Sequence, residues 1–175
     1  MTIGRIYPTL LLLAVLATGA LPASCDRTPV TDTEKSVAPS YKENIINANK
    51  VIASSEETQI DSYLSRRGWQ MTKLGDGVRY VEYLQGKGAR LDFEDHVTVT
   101  YRLEALDGTV IYDGQSDSVT LGKHLPNEGL DHALMQLHRG SKARVIVPSS
   151  MGYGVRGDGD RVPGRTVLIY DLKVE

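Results

Sequence analysis

Apolar residues recur at helical intervals in residues 41–67, ahead of a region with a different period. The positions are Ile45, Ala48, Ile52, Ile60, Tyr63 and Leu64, spaced by three or four residues as on one face of an α-helix. Residues 54–57 (SSEE) fit a capping box, so the pattern predicts a second helix that starts there and ends at Gly68. The apolar stripe is thin and favours helices that pack on their own domain over a dimerisation stalk.

From Trp69 onward the hydrophobic period changes towards two, which is typical of strands. Strands are predicted at residues 78–83, 96–103, 109–112, 143–147 and 167–174, with a hairpin turn at Asp107-Gly108. One short helix is predicted from Leu130 to about Leu137, and its inward-facing positions are Leu130, Ala133, Leu134 and Leu137. Several antiparallel strands and one helix indicate an α+β domain in which the sheet packs on that helix.

The N-terminus has the anatomy of an export signal and not of a folded element. Arg5 precedes an apolar run at residues 10–16, and small residues then lead to Cys25. The run is too short to span a bilayer, which takes about 20 residues. We therefore predict a signal peptide at residues 1–24, followed by a polar tether at residues 25–40 that cannot form a core.

Cys25 is the only cysteine of the chain, and it stands where a signal peptide would be cut. A lone cysteine in an exported protein cannot form an internal disulfide. Residues 21–25 (LPASC) resemble a bacterial lipoprotein signal, whose cysteine is acylated, although Pro22 occupies the place where that family usually has Leu. The resemblance implies a lipid anchor at Cys25 and a periplasm-facing location in the bacterial envelope, with the outer membrane expected. A plain secretory signal with an incidental cysteine remains the alternative.

Composition and spacing remove several classes of function. The net charge of −2 gives no electrostatic case for nucleic acid. The four histidines have no metal-ligand spacing, and the chain has neither a phosphate-binding Gly-rich loop nor a nucleophile elbow. We therefore expect no metal and no cofactor.

An ordered set of short motifs runs through the second half of the chain. In order, these are Val99-Thr100-Tyr101, Asp107-Gly108-Thr109, Tyr112-Asp113, Leu121-Gly122, Gly129-Leu130, Leu137, Gly140, Pro148-Ser149, Tyr153-Gly154, Gly157, Val162-Pro163 and residues 168–172 (LIYDL). Their order and spacing resemble the FKBP family of peptidyl-prolyl isomerases. The family pattern fits without a gap from Leu121 to the C-terminus and needs a small insertion between Asp107 and Leu121.

The resemblance implies that residues 69–175 form a half-open antiparallel β-sheet wrapped around one short helix, with a hydrophobic pocket for proline-containing polypeptides between them. The implied pocket residues are Tyr101, Tyr112 and Tyr170 in the walls, Leu130 at the floor, Val162 as an apolar lip, the backbone N–H of Asn127 and the hydroxyl of Tyr153 as donors to bound carbonyls, and Asp113 beside the strained amide. Tyr153 and Asp113 are the residues to which the resemblance assigns catalysis. Without it, the strand tyrosines would be ordinary core residues and Asp113-Gly114 a hairpin corner.

Departures from the family pattern cluster in the implied pocket. Leu130 stands where the family usually has Trp, Asp117 where an aromatic residue is expected, and Pro126-Asn127 where Val-Ile is usual. Three functions therefore stay open. The first is a prolyl isomerase for exported proteins, the second an FKBP-fold lipoprotein that binds a partner or acts as a chaperone without useful catalysis, and the third a lipid-tethered β domain with another ligand.

Overall fold

The computed structural model describes residues 33–123 and 127–175. Its elements are α1 (Thr33–Arg67), β1 (Thr72–Lys73), β2 (Arg79–Leu84), β3 (His96–Ala105), β4 (Val110–Thr120), α2 (Glu128–Leu134), β5 (Lys142–Val147), a 3-10 turn (Ser149–Met151) and β6 (Leu168–Val174). The predicted signal peptide and Cys25 lie outside the described residues. Within them, no helix has the length and apolarity that crossing a membrane would require.

The six strands form one antiparallel sheet in the order β1-β2-β5-β6-β3-β4. All five predicted strands are present, and the Asp107-Gly108 turn joins β3 to β4 as predicted. Strand β4 is longer than the predicted residues 109–112. It continues to Thr120 because its backbone pairs with β3 along an edge of the sheet, where few side chains are buried and apolar alternation is weak.

Helix α2 packs on the inner face of the sheet and forms the main core with it. The four side chains predicted to face inwards, Leu130, Ala133, Leu134 and Leu137, are all buried there. Gly129 allows the close approach of helix and sheet, because a Cβ at this position would lie 2.5 Å from Cγ1 of Val147. Helix and sheet together confirm the predicted α+β class.

The N-terminal helical segment is one continuous helix, and the predicted second start at residues 54–57 is wrong. Residues 40–67 contain neither Gly nor Pro, so nothing in this stretch interrupts the backbone hydrogen bonds. Ser54 lies inside the helix, where its carbonyl accepts the hydroxyl of Thr58. Helix α1 begins at Thr33, within the segment predicted as a tether. It ends before Gly68, which has the positive φ of 63° expected of a helix terminator.

The second half of α1 covers the outer face of the sheet. Ile60 and Tyr63 are 1% and 4% exposed and pack against Ile146, Val167 and Ile169. The predicted boundary at Gly68 therefore separates two elements that share one core. The first half of the helix has exposed apolar side chains, including Tyr41, Ile45 and Ile46.

Candidate functional site

A cavity of about 280 Å³ opens between α2, the inner face of the sheet and the loop that follows the 3-10 turn. Its lining consists of Val99, Tyr101, Asp117, Ser118, Val119, Asn127, Leu130, Tyr153 and Tyr170. Five of the residues implied by the sequence motifs are therefore brought together here. They come from β3, β6, α2, its N-cap and the 3-10 loop, so the complete fold is needed to assemble the site.

Two tyrosines on adjacent strands form one wall of the cavity. Tyr101 of β3 lies opposite Leu172 of β6, and Tyr170 of β6 lies opposite Leu103. Because side chains two residues apart on a strand share a face, both rings point to the inner face. The rings meet edge to face, with centroids 5.4 Å apart. Tyr170 is 2% exposed, whereas Tyr101 is only partly buried and presents its ring to the cavity.

Asn127 connects the start of α2 to the tyrosine wall. Its side-chain oxygen caps the helix by accepting the backbone N–H of Leu130 at 3.0 Å, and its Nδ2 donates to Oη of Tyr170 at 2.7 Å. The residue is 3% exposed. Sequence reasoning assigned a role to the backbone N–H of Asn127 and missed its side chain. The amide serves both contacts because its oxygen accepts while its nitrogen donates.

The hydroxyl of Tyr153 receives a hydrogen bond from Tyr170. Burial raises the pKa of both tyrosines, and the hydrogen bond between them lowers the pKa of Tyr153 while raising that of Tyr170. Tyr170 is buried and its oxygen already accepts Nδ2 of Asn127, so its own proton is left for Tyr153, and Tyr170 is the donor in this pair. Asn127 thus donates to Tyr170, and Tyr170 donates to Tyr153. Within the described part of the chain, no acceptor takes the Tyr153 proton, which leaves it available to a bound carbonyl.

A buried carboxylate of α1 forms hydrogen bonds with the start of the segment that carries Tyr153. Glu56, 7% exposed, accepts the backbone N–H of Ser149 at 3.0 Å and its Oγ–H at 2.5 Å. The carbonyl of Ser149 in turn accepts the N–H of Gly154 at 2.9 Å. Sequence reasoning missed Glu56, because a glutamate that lies outside the apolar stripe of a predicted helix looks like any solvent-exposed charge.

Asp117 takes part in the site as an acceptor. It lies on β4 directly opposite Val99, and its Oδ2 accepts the hydroxyl of Tyr101 at 2.7 Å. Burial raises the pKa of Tyr101, and the hydrogen bond to the carboxylate raises it further. The sequence indicated only that an expected aromatic residue was missing here. In the structure, the carboxylate fixes the orientation of a cavity tyrosine.

Two of the implied residues, Tyr112 and Val162, are not among those that line the cavity. The hydroxyl of Tyr112 donates to Asp158 at 3.0 Å, and burial raises its pKa to about 12. The other oxygen of Asp158 accepts the backbone N–H of Val162 at 2.8 Å. Val162 is buried in the main core. Tyr112 and Val162 are thus joined through Asp158, which shapes the loop at residues 158–162.

The structure does not bring Asp113 to the cavity. Its side chain is 65% exposed and pairs with Arg102 at 3.0 Å. The pairing of β4 with β3 shifts register between Tyr101 and Glu104, and Asp113 lies in this irregular, exposed part of the edge strand. The carboxylate that does reach the cavity is Asp117, four residues further along β4.

A second, larger cavity of about 640 Å³ lies between α1 and the loops that follow β3 and precede β6. Its walls are mainly apolar, and none of the residues implied as pocket residues lines it. Among residues 40–123 and 127–175, no group of three His, Cys, Asp or Glu side chains is arranged to hold a metal. We favour the smaller cavity as the functional site because tyrosine hydroxyls, an amide and a carboxylate converge on it.

Comparison with known proteins agrees with this architecture. Residues 88–175 match the model of the family described as FKBP-type peptidyl-prolyl cis-trans isomerase. Peptidyl-prolyl cis-trans isomerase FKBP9 from Homo sapiens is 32% identical over 84 residues, which cover 46% of this chain and 15% of the human protein. Probable FkpA from Neisseria meningitidis is 29% identical over 133 residues, covering 74% of this chain and 49% of that protein. The chain thus spans between about a sixth and a half of the length of these two relatives.

Solved structures show the same fold. A peptidyl-prolyl cis-trans isomerase from Pseudomonas syringae superimposes with a TM-score of 0.59 at 25% identity, covering 71% of this chain and 92% of that one. FkpA from Escherichia coli superimposes with a TM-score of 0.58 at 20% identity, covering 81% and 69%. The order of motifs, the six-stranded sheet and the family match agree, and the chain belongs to the FKBP-type peptidyl-prolyl cis-trans isomerase family.

Proposed function

We propose that this chain catalyses cis–trans isomerisation of X–Pro bonds in exported polypeptides and that the 280 Å³ cavity holds the prolyl segment. The observation that carries the proposal is the hydrogen-bonded series from Asn127 through Tyr170 to Tyr153, in which the Tyr153 proton has no acceptor among the described residues and is available to a ligand. Membership of the isomerase family supports the same reaction. No cofactor is needed, because the reaction breaks no covalent bond.

The cavity offers the two contributions that this reaction requires. Rotation about the X–Pro bond has a barrier of about 18–20 kcal/mol, because resonance gives the C–N bond double-bond character. A planar amide is more charge-separated than a twisted one, so the apolar walls formed by Val99, Val119 and Leu130 disfavour the planar state once water is removed. Contacts that fit the twisted peptide better than the planar one then lower the barrier.

Tyr153 is proposed to anchor the peptide through a carbonyl other than that of the rotating amide. A hydrogen bond to the oxygen of the rotating amide would stabilise its charge-separated planar form and oppose catalysis. A bond to a neighbouring carbonyl instead holds one side of the segment while the other side turns. The faces of Tyr101 and Tyr170 provide rigid apolar surface for the proline ring.

Replacing Tyr153 by Phe tests this assignment, with a proline tetrapeptide assayed for binding and isomerisation rate. We expect the wild-type chain to accelerate isomerisation and Tyr153→Phe to weaken peptide binding by about 0.5–1.5 kcal/mol, the usual net contribution of one hydrogen bond. Thermal stability should fall as well, because the ring still packs but the buried hydroxyl of Tyr170 loses its acceptor. The matched control is Tyr83→Phe, which removes an exposed hydroxyl bonded to Asp171 outside the cavity. Equal effects of the two substitutions would count against a role for Tyr153 in binding.

The second candidate function is a binding module that holds prolyl segments without useful catalysis. Leu130 and Asp117 favour it, since both stand in the cavity where the family usually has aromatic residues. The cavity is also at the small end of ligand sites, which measure roughly 300–1,000 Å³. Peptide binding without a rate increase in the same assay would establish this function in place of the first.

Export and membrane attachment are proposed from the sequence of residues 1–25. If Cys25 is acylated, cells grown with labelled palmitate should label the protein, and Cys25→Ser should release it in soluble form. The helical segment that follows would then join the membrane anchor to the folded domain. A wild-type protein that takes up no label and is fully soluble would contradict the proposal and leave the plain secretory signal.

A further inference from the structure

We infer that Asp117 makes this chain select prolyl segments that carry a lysine or arginine next to the proline. The inference rests on the proposed function, because it assigns a substrate class to the same cavity. Nothing in the ordered motifs indicated it, since the sequence showed Asp117 only as a departure from an expected aromatic residue.

Asp117 has unused hydrogen-bonding capacity directed to the cavity. A carboxylate offers about four acceptor positions on its two oxygens. Tyr101 occupies one on Oδ2, and Nε2 of Gln115 approaches Oδ1 at 3.4 Å, a long contact. The side chain is half-buried in the cavity wall, opposite Val99. An ammonium or guanidinium group entering beside the proline ring would therefore meet free acceptor positions.

The charge of Asp117 is not neutralised by any described residue. Among the described residues that line the cavity it is the only charged one, and none of the ion pairs within residues 40–123 and 127–175 includes it. The nearby carboxylate of Asp158 differs, because backbone N–H groups and the Tyr112 hydroxyl already use its oxygens. Burial is the main cause that raises the pKa of Tyr153, and the negative charges of Asp158 and Asp117 also raise it. The Tyr153 hydroxyl therefore lies in a negative potential.

The physical consequence is a difference between basic and acidic peptides. A cationic side chain gains the attraction of a carboxylate that apolar walls partly shield from water, whereas an acidic side chain is repelled by it. Exposed ion pairs contribute about 0.2–1 kcal/mol, so the two signs together should separate lysine from glutamate peptides by about 2- to 30-fold in affinity. If Asp117 served only to orient Tyr101, peptide charge would have no such effect.

The test uses two series of proline tetrapeptides, in which the residue before or after proline is Lys, Leu or Glu. Binding is measured by calorimetric titration and isomerisation by kcat/KM. We expect the affinity for lysine peptides to exceed that for glutamate peptides by at least about 2-fold, and up to about 30-fold, in at least one series, and this ratio to shrink in 0.5 M salt. Asp117→Asn should bring the ratio below about 2-fold. Asp171→Asn is the matched control, because it removes a carboxylate paired with Arg144 outside the cavity and should leave the ratio unchanged.

Each outcome decides the inference. Equal affinities and kcat/KM values for lysine and glutamate peptides in both series would overturn it. A lysine preference that survives in Asp117→Asn would overturn it as well. The wild-type preference and its salt dependence need no variant, so a poorly folded Asp117→Asn would not block the test. Failure of the proposed isomerase function has a different signature, namely no acceleration of any peptide, and the calorimetric titration would still report the charge preference in that case.

Discussion

A chain that begins at residue 68 should lose most of its stability, although the strands and α2 all lie beyond that point. The sequence alone predicts the opposite, a self-sufficient domain from Trp69 onward. In the structure, Ile60 and Tyr63 of α1 are buried against Ile146 and Ile169. Replacing one buried Ile or aromatic residue by Ala typically costs about 2–5 kcal/mol. Losing both side chains should therefore lower the free energy of unfolding by roughly 5 kcal/mol or more, whereas the whole free energy of unfolding of a protein is usually about 5–15 kcal/mol.

The control for this truncation is a chain of residues 53–175, which keeps the half of α1 that covers the sheet. Urea unfolding of the two chains gives the difference in free energy of unfolding directly. We expect the longer chain to unfold cooperatively and the shorter one to be largely unfolded or to melt at a much lower temperature. Equal free energies of unfolding would restore the boundary at Gly68 and make α1 an appendage.

Asn127→Ala should destabilise the chain by about 2–4 kcal/mol, the second largest effect we expect. It removes the N-cap of α2, which contributes about 0.5–2 kcal/mol, and it leaves the buried hydroxyl of Tyr170 without its donor, which costs about 1–3 kcal/mol. Peptide binding should weaken as well. Without the Asn127 side chain, the Tyr170 hydroxyl is no longer held in the orientation in which it donates to Tyr153. Urea unfolding and peptide titration measure the two effects.

Asn127→Asp separates the two contributions. The new carboxylate still accepts the N–H of Leu130 and so keeps the cap. It cannot donate to Tyr170, and as an acceptor it would draw the Tyr170 proton away from Tyr153. We therefore expect part of the stability to return while peptide binding stays weak. A loss below about 0.5 kcal/mol in Asn127→Ala, or full binding in Asn127→Asp, would contradict the hydrogen-bonded series as described.

The sequence predicts the elements of this fold well because its strands have a clear hydrophobic pattern. Val97, Val99 and Leu103 alternate with polar residues, and the Asp107-Gly108 turn marks the hairpin that follows. The length of β4 was missed because an edge strand is held by backbone pairing, which leaves little trace in side-chain polarity. The continuity of α1 was missed because a capping sequence also occurs inside helices.

The sequence predicted those site residues that belong to a recognisable motif. It missed those whose role depends on a partner far away in the sequence. Tyr101, Leu130, Tyr153 and Tyr170 lie in the cavity as the motifs implied. Side chains that act through a partner distant in sequence, such as Glu56 with Ser149, gave no local pattern. Asp113 followed the motif order, but it lies at the surface where the hairpin pairing shifts register, and its catalytic role remains a prediction without support from its position.

Exchange NMR on a proline peptide tests the central claim most directly, because it reads binding and isomerisation in one sample. The uncatalysed cis and trans forms interchange over tens to hundreds of seconds and give separate signals without exchange peaks. With a small fraction of the wild-type chain present, the account predicts cis–trans exchange peaks within about a second of mixing time, weaker in Tyr153→Phe than in Tyr83→Phe. Peptide signals that shift on binding but never exchange would contradict it and leave a prolyl-binding module.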